Sequence, residues 1–378
     1  MIKSKLKKHF FIISKFLIIF ALAIIYFFVP YEVMYGSDVK KYIILQNELS
    51  TDLSSFFKYL FNFRFDGPLF FFTILIYKIL LSIDVYVQWE KLFIFINLLS
   101  FFSIFLITSK ILEIKDNLSF ILFTILFWFN LEYFSWNFYT LTDIIFSLLI
   151  VSFLFYLINN SKIIFFIILL IIFFRSTSVI LFLFLFQYFF VLYFFKNRIN
   201  LSKIILLVLF FNFLILFLSS LGYNYLDLGD NQLQEKINFF KERLSRGVVI
   251  DDRPETYLSG KDSTFYYFKI MTLRYIYFFA PYAQDFSLIH KLYNISYFSI
   301  IYILIIYCLF NFKKNRKKEQ MVIVIMILFI TSFALFHSIY LIDYDWRYRM
   351  PTYVPMLIIS FFGYKLFFNR YIKNLLLK

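Results

Sequence analysis

The sequence predicts an all-α polytopic membrane protein of about ten transmembrane helices, and three observations predict it. First, 62% of the 378 residues are hydrophobic and mean hydropathy is +0.79, more apolar surface than a soluble chain of this size could hide. Second, runs such as 16–29, 91–108, 179–195 and 321–336 are nearly free of charge and about long enough to cross a ~30 Å hydrocarbon core. Third, these runs are continuously apolar. In lipid only helices and closed barrels satisfy every backbone group, and a barrel strand would alternate.

The remaining composition excludes more than it assigns. Sixty Phe and thirty Tyr stand out, but Phe, Ile, Lys, Asn and Tyr codons are AT-rich, and base composition accounts for them. The net charge of +15 needs no nucleic acid, because basic loops on the cytoplasmic face supply it. Cys308 is the single cysteine and falls inside an expected span, so there is neither a disulfide framework nor a cysteine metal site. His9, His290 and His337 are far apart in sequence. Lys3, Lys5, Lys7 and Lys8 precede the first apolar run, and no small-residue cleavage site follows Val29-Pro30. The expectation is an uncleaved first span that starts in the cytoplasm.

Basic clusters set the topology. Lys3–Lys8, Lys110/Lys115, Lys162, Lys196/Arg198/Lys203, Lys313–Lys318 and Arg370/Lys373/Lys378 all occupy short loops or termini, where the positive-inside rule operates. Residues 68–83 decide the parity. They are apolar but short, and Lys78 interrupts them; if they lie along the outer interface, every basic loop falls inside. The expected spans are then 11–29, 91–109, 118–132, 143–158, 163–174, 179–195, 204–221, 295–312, 321–340 and 352–368. Together they make a single transmembrane domain over 1–378. It carries two larger extracytoplasmic loops, 30–90 with interfacial helices and 222–294. Within the second loop, Leu233, Ile237, Phe240 and Leu244 recur at helical spacing opposite charged residues, which predicts an amphipathic helix over 231–246. Residues 247–262 read as loop.

Five polar windows fall on the outer side. Asp38, in Tyr35-Gly-Ser-Asp38-Val-Lys-Lys-Tyr42, is a carboxylate at the outer mouth of the bundle. It is either an exposed loop residue, a general base toward a hydroxyl, or a cation ligand. Arg64-Phe-Asp66-Gly67-Pro68 is helix-start punctuation. Asp143 heads the apolar 143–158 segment, as a helix N-terminal acid or as a second carboxylate facing Asp38. Arg175 sits in a four-residue turn, either snorkelling to lipid phosphate or clamping a phosphate through its planar fork. Asp343-Tyr-Asp345-Trp346-Arg347-Tyr348-Arg349-Met-Pro351 crowds two arginines into one aromatic loop. A phosphate or pyrophosphate site fits there, with Trp346 or Tyr348 against a sugar or isoprenoid.

Taken in order, these windows resemble the GT-C superfamily of membrane glycosyltransferases. The similarity is to bacterial relatives of the dolichyl-phosphate-mannose protein mannosyltransferases and the aminoarabinose lipid A transferases. Asp38 with Tyr42 is similar to the family's first-loop acid and tyrosine, and Gly67-Pro68-Leu69-Phe70 to its Pro-Pro-Leu-aromatic stretch. Thr140-Leu141-Thr142-Asp143 is similar to its Thr-Leu-Asp segment, Phe174-Arg175-Ser176-Thr177 to its Leu-Arg-Pro-Thr turn, and Arg347-Tyr348-Arg349-Met350-Pro351 through Pro355 to its late Arg-Tyr-Arg-x-Pro segment. The chain departs from the pattern where Val39 replaces a second acid and Ser176 the proline, and it lacks the C-terminal soluble domain of some members.

The resemblance implies a GT-C-like fold in a bacterial inner membrane with its active site facing the periplasm or exterior. It implies transfer of a sugar from a polyprenyl-phosphate-linked donor to a lipid, glycan or protein acceptor. Asp38 would be the base, Asp143 would orient the acceptor or a cation, and Tyr42, Arg175, Arg347, Tyr348 and Arg349 would bind substrate. A divalent cation needs several oxygen ligands, of which only Asp38 and Asp143 stand out, so a metal stays open. Membrane lipids are expected partners and nucleic acid is not. Two alternatives are a polymerase of lipid-linked polysaccharide repeat units, relying on outer-loop arginines, and a transporter of lipid-linked sugars, with polar sites near mid-membrane.

Overall fold

The computed structural model describes residues 89–174, 178–195, 200–225, 264–282, 287–339, 349–368 and 370. The expected first span at 11–29, the interfacial 68–83 helix and the amphipathic 231–246 helix lie outside them. The chain forms two compact units, Met1–Val179 and Ile180–Lys378.

The first unit opens with α1 (Trp89–Ile111), whose Glu90 and Lys110 sit at the ends the helix dipole favours. Its close is a Schellman turn. Glu113 takes φ 51°, its N–H donates to the Lys110 carbonyl, and the Ile114 N–H donates to that of Ser109. Asp116 then caps α2 (Asn117–Trp128) by accepting from the Ser119 N–H at 2.8 Å. Next, Asn130 caps α3 (Leu131–Ser135) by accepting from the Tyr133 N–H at 3.1 Å, and a 3-10 turn covers Trp136–Phe138.

The sequence reads 118–132 as one span; in the structure the helix pair bends by 67° between Trp128 and Leu131. The cause is local, because the Asn130 side chain offers the backbone a competing hydrogen bond at the break.

Helix α4 (Asp143–Ile158) ends in a second Schellman turn with Asn160 at φ 51°, and α5 (Ile163–Phe174) follows. Helix α4 packs on both α1 and α5. Between α1 and α2 the core is aromatic: Phe101 meets Phe127 at 4.8 Å, and Phe105 stacks on Phe123 at 5.0 Å.

The second unit contains α6 (Val179–Phe195), α7 (Leu201–Tyr225), α8 (Thr264–Tyr277), α9 (Leu288–Phe310), α10 (Lys317–Ile339) and α11 (Met350–Phe367). Helix α10 lies at the centre, packed on α7, α8 and α11 and buried over most of its length. Helix α9 packs closely on α11. Gly363 permits that approach, because a Cβ there would overlap the Leu304 carbonyl and press on Cys308.

The sequence assigns 222–294 wholly to an outer loop, whereas residues 264–277 form α8 within the unit and α9 begins at Leu288. Lys269, Arg274 and four tyrosines lower the hydropathy of α8, which hides a packed helix from a polarity argument.

Among the described residues, helices α1, α7, α9 and α10 are long and apolar enough to cross a membrane, and α2 with α3 makes a fifth if the bent pair counts as one span. Helices α4, α5 and α6 are apolar but shorter; the 16 residues of α4 rise about 24 Å against a ~30 Å core. Large side chains such as Phe165, Phe182 and Phe310 are exposed, a surface that hydrocarbon suits and water does not.

Candidate functional site

In the first unit, buried polar groups gather where the 3-10 turn leads into α4. Asn97, in the middle of α1, donates through Nδ2 to the Tyr139 carbonyl at 3.0 Å and to the Leu141 carbonyl at 3.2 Å. This single amide holds the 139–141 stretch against α1. Asn137 donates to the Phe134 carbonyl at 2.8 Å, bracing the 3-10 turn from the other side.

Asp143 then opens α4 and is only 3% exposed, an ionisable side chain sunk at the positive end of a helix. Thr140 and Ser147 are also buried, and the Tyr133 hydroxyl lies against that of Ser147.

Three of these buried oxygens, Asn97 Oδ1, Asn137 Oδ1 and Thr140 Oγ1, accept no hydrogen bond among the described residues. Buried acceptors without donors are costly, and native folds rarely leave several in one place. The arrangement therefore suits a ligand rich in hydroxyl donors, or a hard cation. Among the described residues no three His, Cys, Asp or Glu side chains converge as a metal centre.

In the second unit the notable cation is Arg349, immediately before α11 and 1% exposed. Its Nη1 donates to the carbonyls of Ala280 at 2.6 Å and Phe278 at 3.3 Å, the turn that closes α8. Nε donates to the Tyr353 hydroxyl at 2.9 Å, and the guanidinium lies 5.0 Å from the centre of the Phe298 ring. Phe278 in turn stacks on His337 at 5.9 Å. Carbonyls at a helix C-terminus attract a cation, and this one locks the end of α8 to the start of α11.

Deeper in the same unit, Ser332 on α10 donates to Gln187 Oε1 at 3.1 Å. Gln187 on α6 donates to Asn212 Oδ1 at 2.7 Å, and Asn212 on α7 donates to the Tyr275 hydroxyl on α8 at 3.0 Å. Four helices are thus joined by one polar chain.

Of the residues singled out by sequence, Asp143 and Arg349 are described, one in each unit. Asp38, Tyr42, Arg175, Arg347 and Tyr348 lie outside the described residues. Sequence reasoning overlooked Asn97, Gln187, Asn212 and Arg274, the last buried to 1% exposure on α8. A usable signal existed for Gln187 and Asn212: each is an amide in the middle of a long apolar run, which lipid tolerates when the amide faces a polar partner.

The fold defines a helical membrane-embedded protein. No family model, curated protein or solved structure matches the chain.

Proposed function

We propose that the protein is a GT-C-like membrane glycosyltransferase of about ten spans, moving a sugar from a polyprenyl-phosphate donor to a lipid, glycan or protein acceptor outside the membrane. The observation that carries this reading is the buried carboxylate of Asp143 set among the open acceptors of Asn97, Asn137 and Thr140. Acceptors of this kind suit a polyhydroxylated ligand, because each sugar hydroxyl can donate to one oxygen.

In the proposed reaction Asp38 takes the proton from an acceptor hydroxyl, and the freed oxygen attacks the anomeric carbon. The bond from that carbon to the phosphate oxygen breaks with inversion, and its electron pair leaves on the lipid phosphate. Arg175 and Arg347 neutralise the charge that grows there. Tyr42 and Tyr348 line the substrate path, and Asp143 orients the acceptor. Arg349, whose bonds to the Phe278 and Ala280 carbonyls anchor the start of α11, takes a positioning role in this reading.

The test is Asp38→Asn in a complementation assay with glycan profiling by mass spectrometry. The expected result is loss of the product glycan at unchanged protein level; full retention of product removes Asp38 from the mechanism.

One observation favours a second reading. The Ser332–Gln187–Asn212–Tyr275 chain puts polar groups in the interior of apolar helices, as a transporter of lipid-linked sugars does. Sugar transfer by purified protein in detergent, where there is no compartment to cross, separates the two readings.

A further inference from the structure

The second unit has a cavity of about 950 Å³ where α7 begins and α9 ends. One wall is apolar, made of Ile205, Ile306, Leu309 and Phe310, and Phe310 is 86% exposed. The rim is basic, made of Lys313 and Lys314. These belong to the run Lys313, Lys314, Arg316, Lys317 and Lys318, which Glu319 follows directly in sequence. That acid is already engaged, by Arg316 at 2.8 Å and by Lys365 at 3.7 Å. Neither Lys313 nor Lys314 forms an ion pair among the described residues, and the Lys314 ammonium bonds only the neutral amide oxygen of Asn311, at 2.8 Å.

An apolar wall beneath two uncompensated ammonium groups, at the end of a helix long enough to cross a membrane, has the chemistry of one ligand class. The wall takes hydrocarbon and the rim takes phosphate, with lysine acting as a point charge. Basic pockets between membrane helices on the positively charged side bind acidic headgroups, and each lysine near the surface strengthens binding about fivefold. The volume is in the range of ligand pockets, roughly 300–1,000 Å³.

We infer that this cavity is a binding site for an anionic phospholipid of the surrounding leaflet. The headgroup phosphate lies between Lys313 and Lys314, and an acyl chain lies along Ile306, Leu309 and Phe310. The site is separate from the proposed transfer chemistry and requires none of its residues.

Full-length protein is purified in a neutral detergent and titrated with phosphatidylglycerol or phosphatidylcholine, with bound lipid counted by native mass spectrometry. Phosphatidylglycerol is expected to bind the wild type well above phosphatidylcholine. The Lys313→Gln/Lys314→Gln variant is expected to bind it about 30-fold more weakly, and Lys317→Gln/Lys318→Gln to stay within about threefold of wild type. Ile306→Trp, which fills the cavity without changing charge, is expected to lower retention of both acyl chains and headgroup. Equal weakening by the two lysine pairs would mean diffuse surface attraction and would overturn the site. Undisturbed binding in Ile306→Trp would overturn the acyl groove. Displacement of phosphatidylglycerol by equimolar polyprenyl phosphate would overturn the choice of phospholipid as occupant. Unchanged helical circular dichroism in each variant keeps loss of fold out of the comparison.

Discussion

Arg349 Nη1 donates to the carbonyl of Ala280 at 2.6 Å, tying the first residue before α11 to the turn that closes α8, 69 positions earlier in the chain. The guanidinium is buried, so the tie is made where water cannot replace it. Arg349→Met keeps the bulk but removes the donors, leaving the Phe278 and Ala280 carbonyls to find others. The variant is expected to lose about 3 kcal/mol of stability, read as a lower melting temperature in detergent. Arg349→Lys is expected to recover only part of the loss, because an ammonium cannot reach Tyr353 and both carbonyls from one plane.

Asp143→Asn preserves shape at the head of α4 and removes the charge. If the residue orients an acceptor, product formation is expected to fall at least ~100-fold while expression and melting temperature stay near wild type. A parallel loss of folded protein would identify Asp143 as a structural helix-start acid instead.

Asn97→Leu removes both donors that hold the Tyr139 and Leu141 carbonyls. The two stranded carbonyls are expected to cost about 2–4 kcal/mol together. Amide exchange over 137–142 is expected to accelerate more than exchange in α5, since the loss is local to this connection.

Gly363→Val places a branched side chain where the α9 backbone already stands. Helices α9 and α11 must separate to admit it, at an expected cost of about 3 kcal/mol or more. Gly363→Ala is expected to be milder yet still measurable, and Leu304→Ala is expected not to rescue it, because the obstacle is the Leu304 carbonyl and not its side chain.

Gln187→Leu breaks the polar chain at its middle, parting Ser332 from Asn212. Each interhelical hydrogen bond of this kind contributes about 0.6–2 kcal/mol in a membrane protein, so a loss of roughly 1–3 kcal/mol is expected in a denaturation titration. If Gln187 serves transport instead, substrate flux would fall without any matching loss of stability.

The elements legible in the sequence are those built from local apolar length. Segments 143–158, 163–174 and 179–195 coincide with helices α4, α5 and α6, and among the described residues α1, α7, α10 and α11 begin and end close to the apolar runs read at 91–109, 204–221, 321–340 and 352–368. The reason is physical: a helix that must bury itself in lipid or protein needs an unbroken apolar run, and that run can be read without knowing its neighbours. The sequence also singled out Asp143, at the head of an apolar segment, and Arg349, in a crowded polar and aromatic loop; that both are buried came only from the structure.

What a polar side chain does depends on which backbone stands across from it, and only the tertiary structure decided that. Asn97 reaches carbonyls 42 and 44 residues away, Arg349 reaches 69 and 71 residues back, and Gln187 joins Ser332 across 145. Helix α8 was hidden for the same reason: Arg274 and Tyr275 look soluble in isolation and become interior residues only against α7 and α10. Apolar burial follows local composition, whereas hydrogen bonding is directional and pairs atoms that the chain itself keeps far apart.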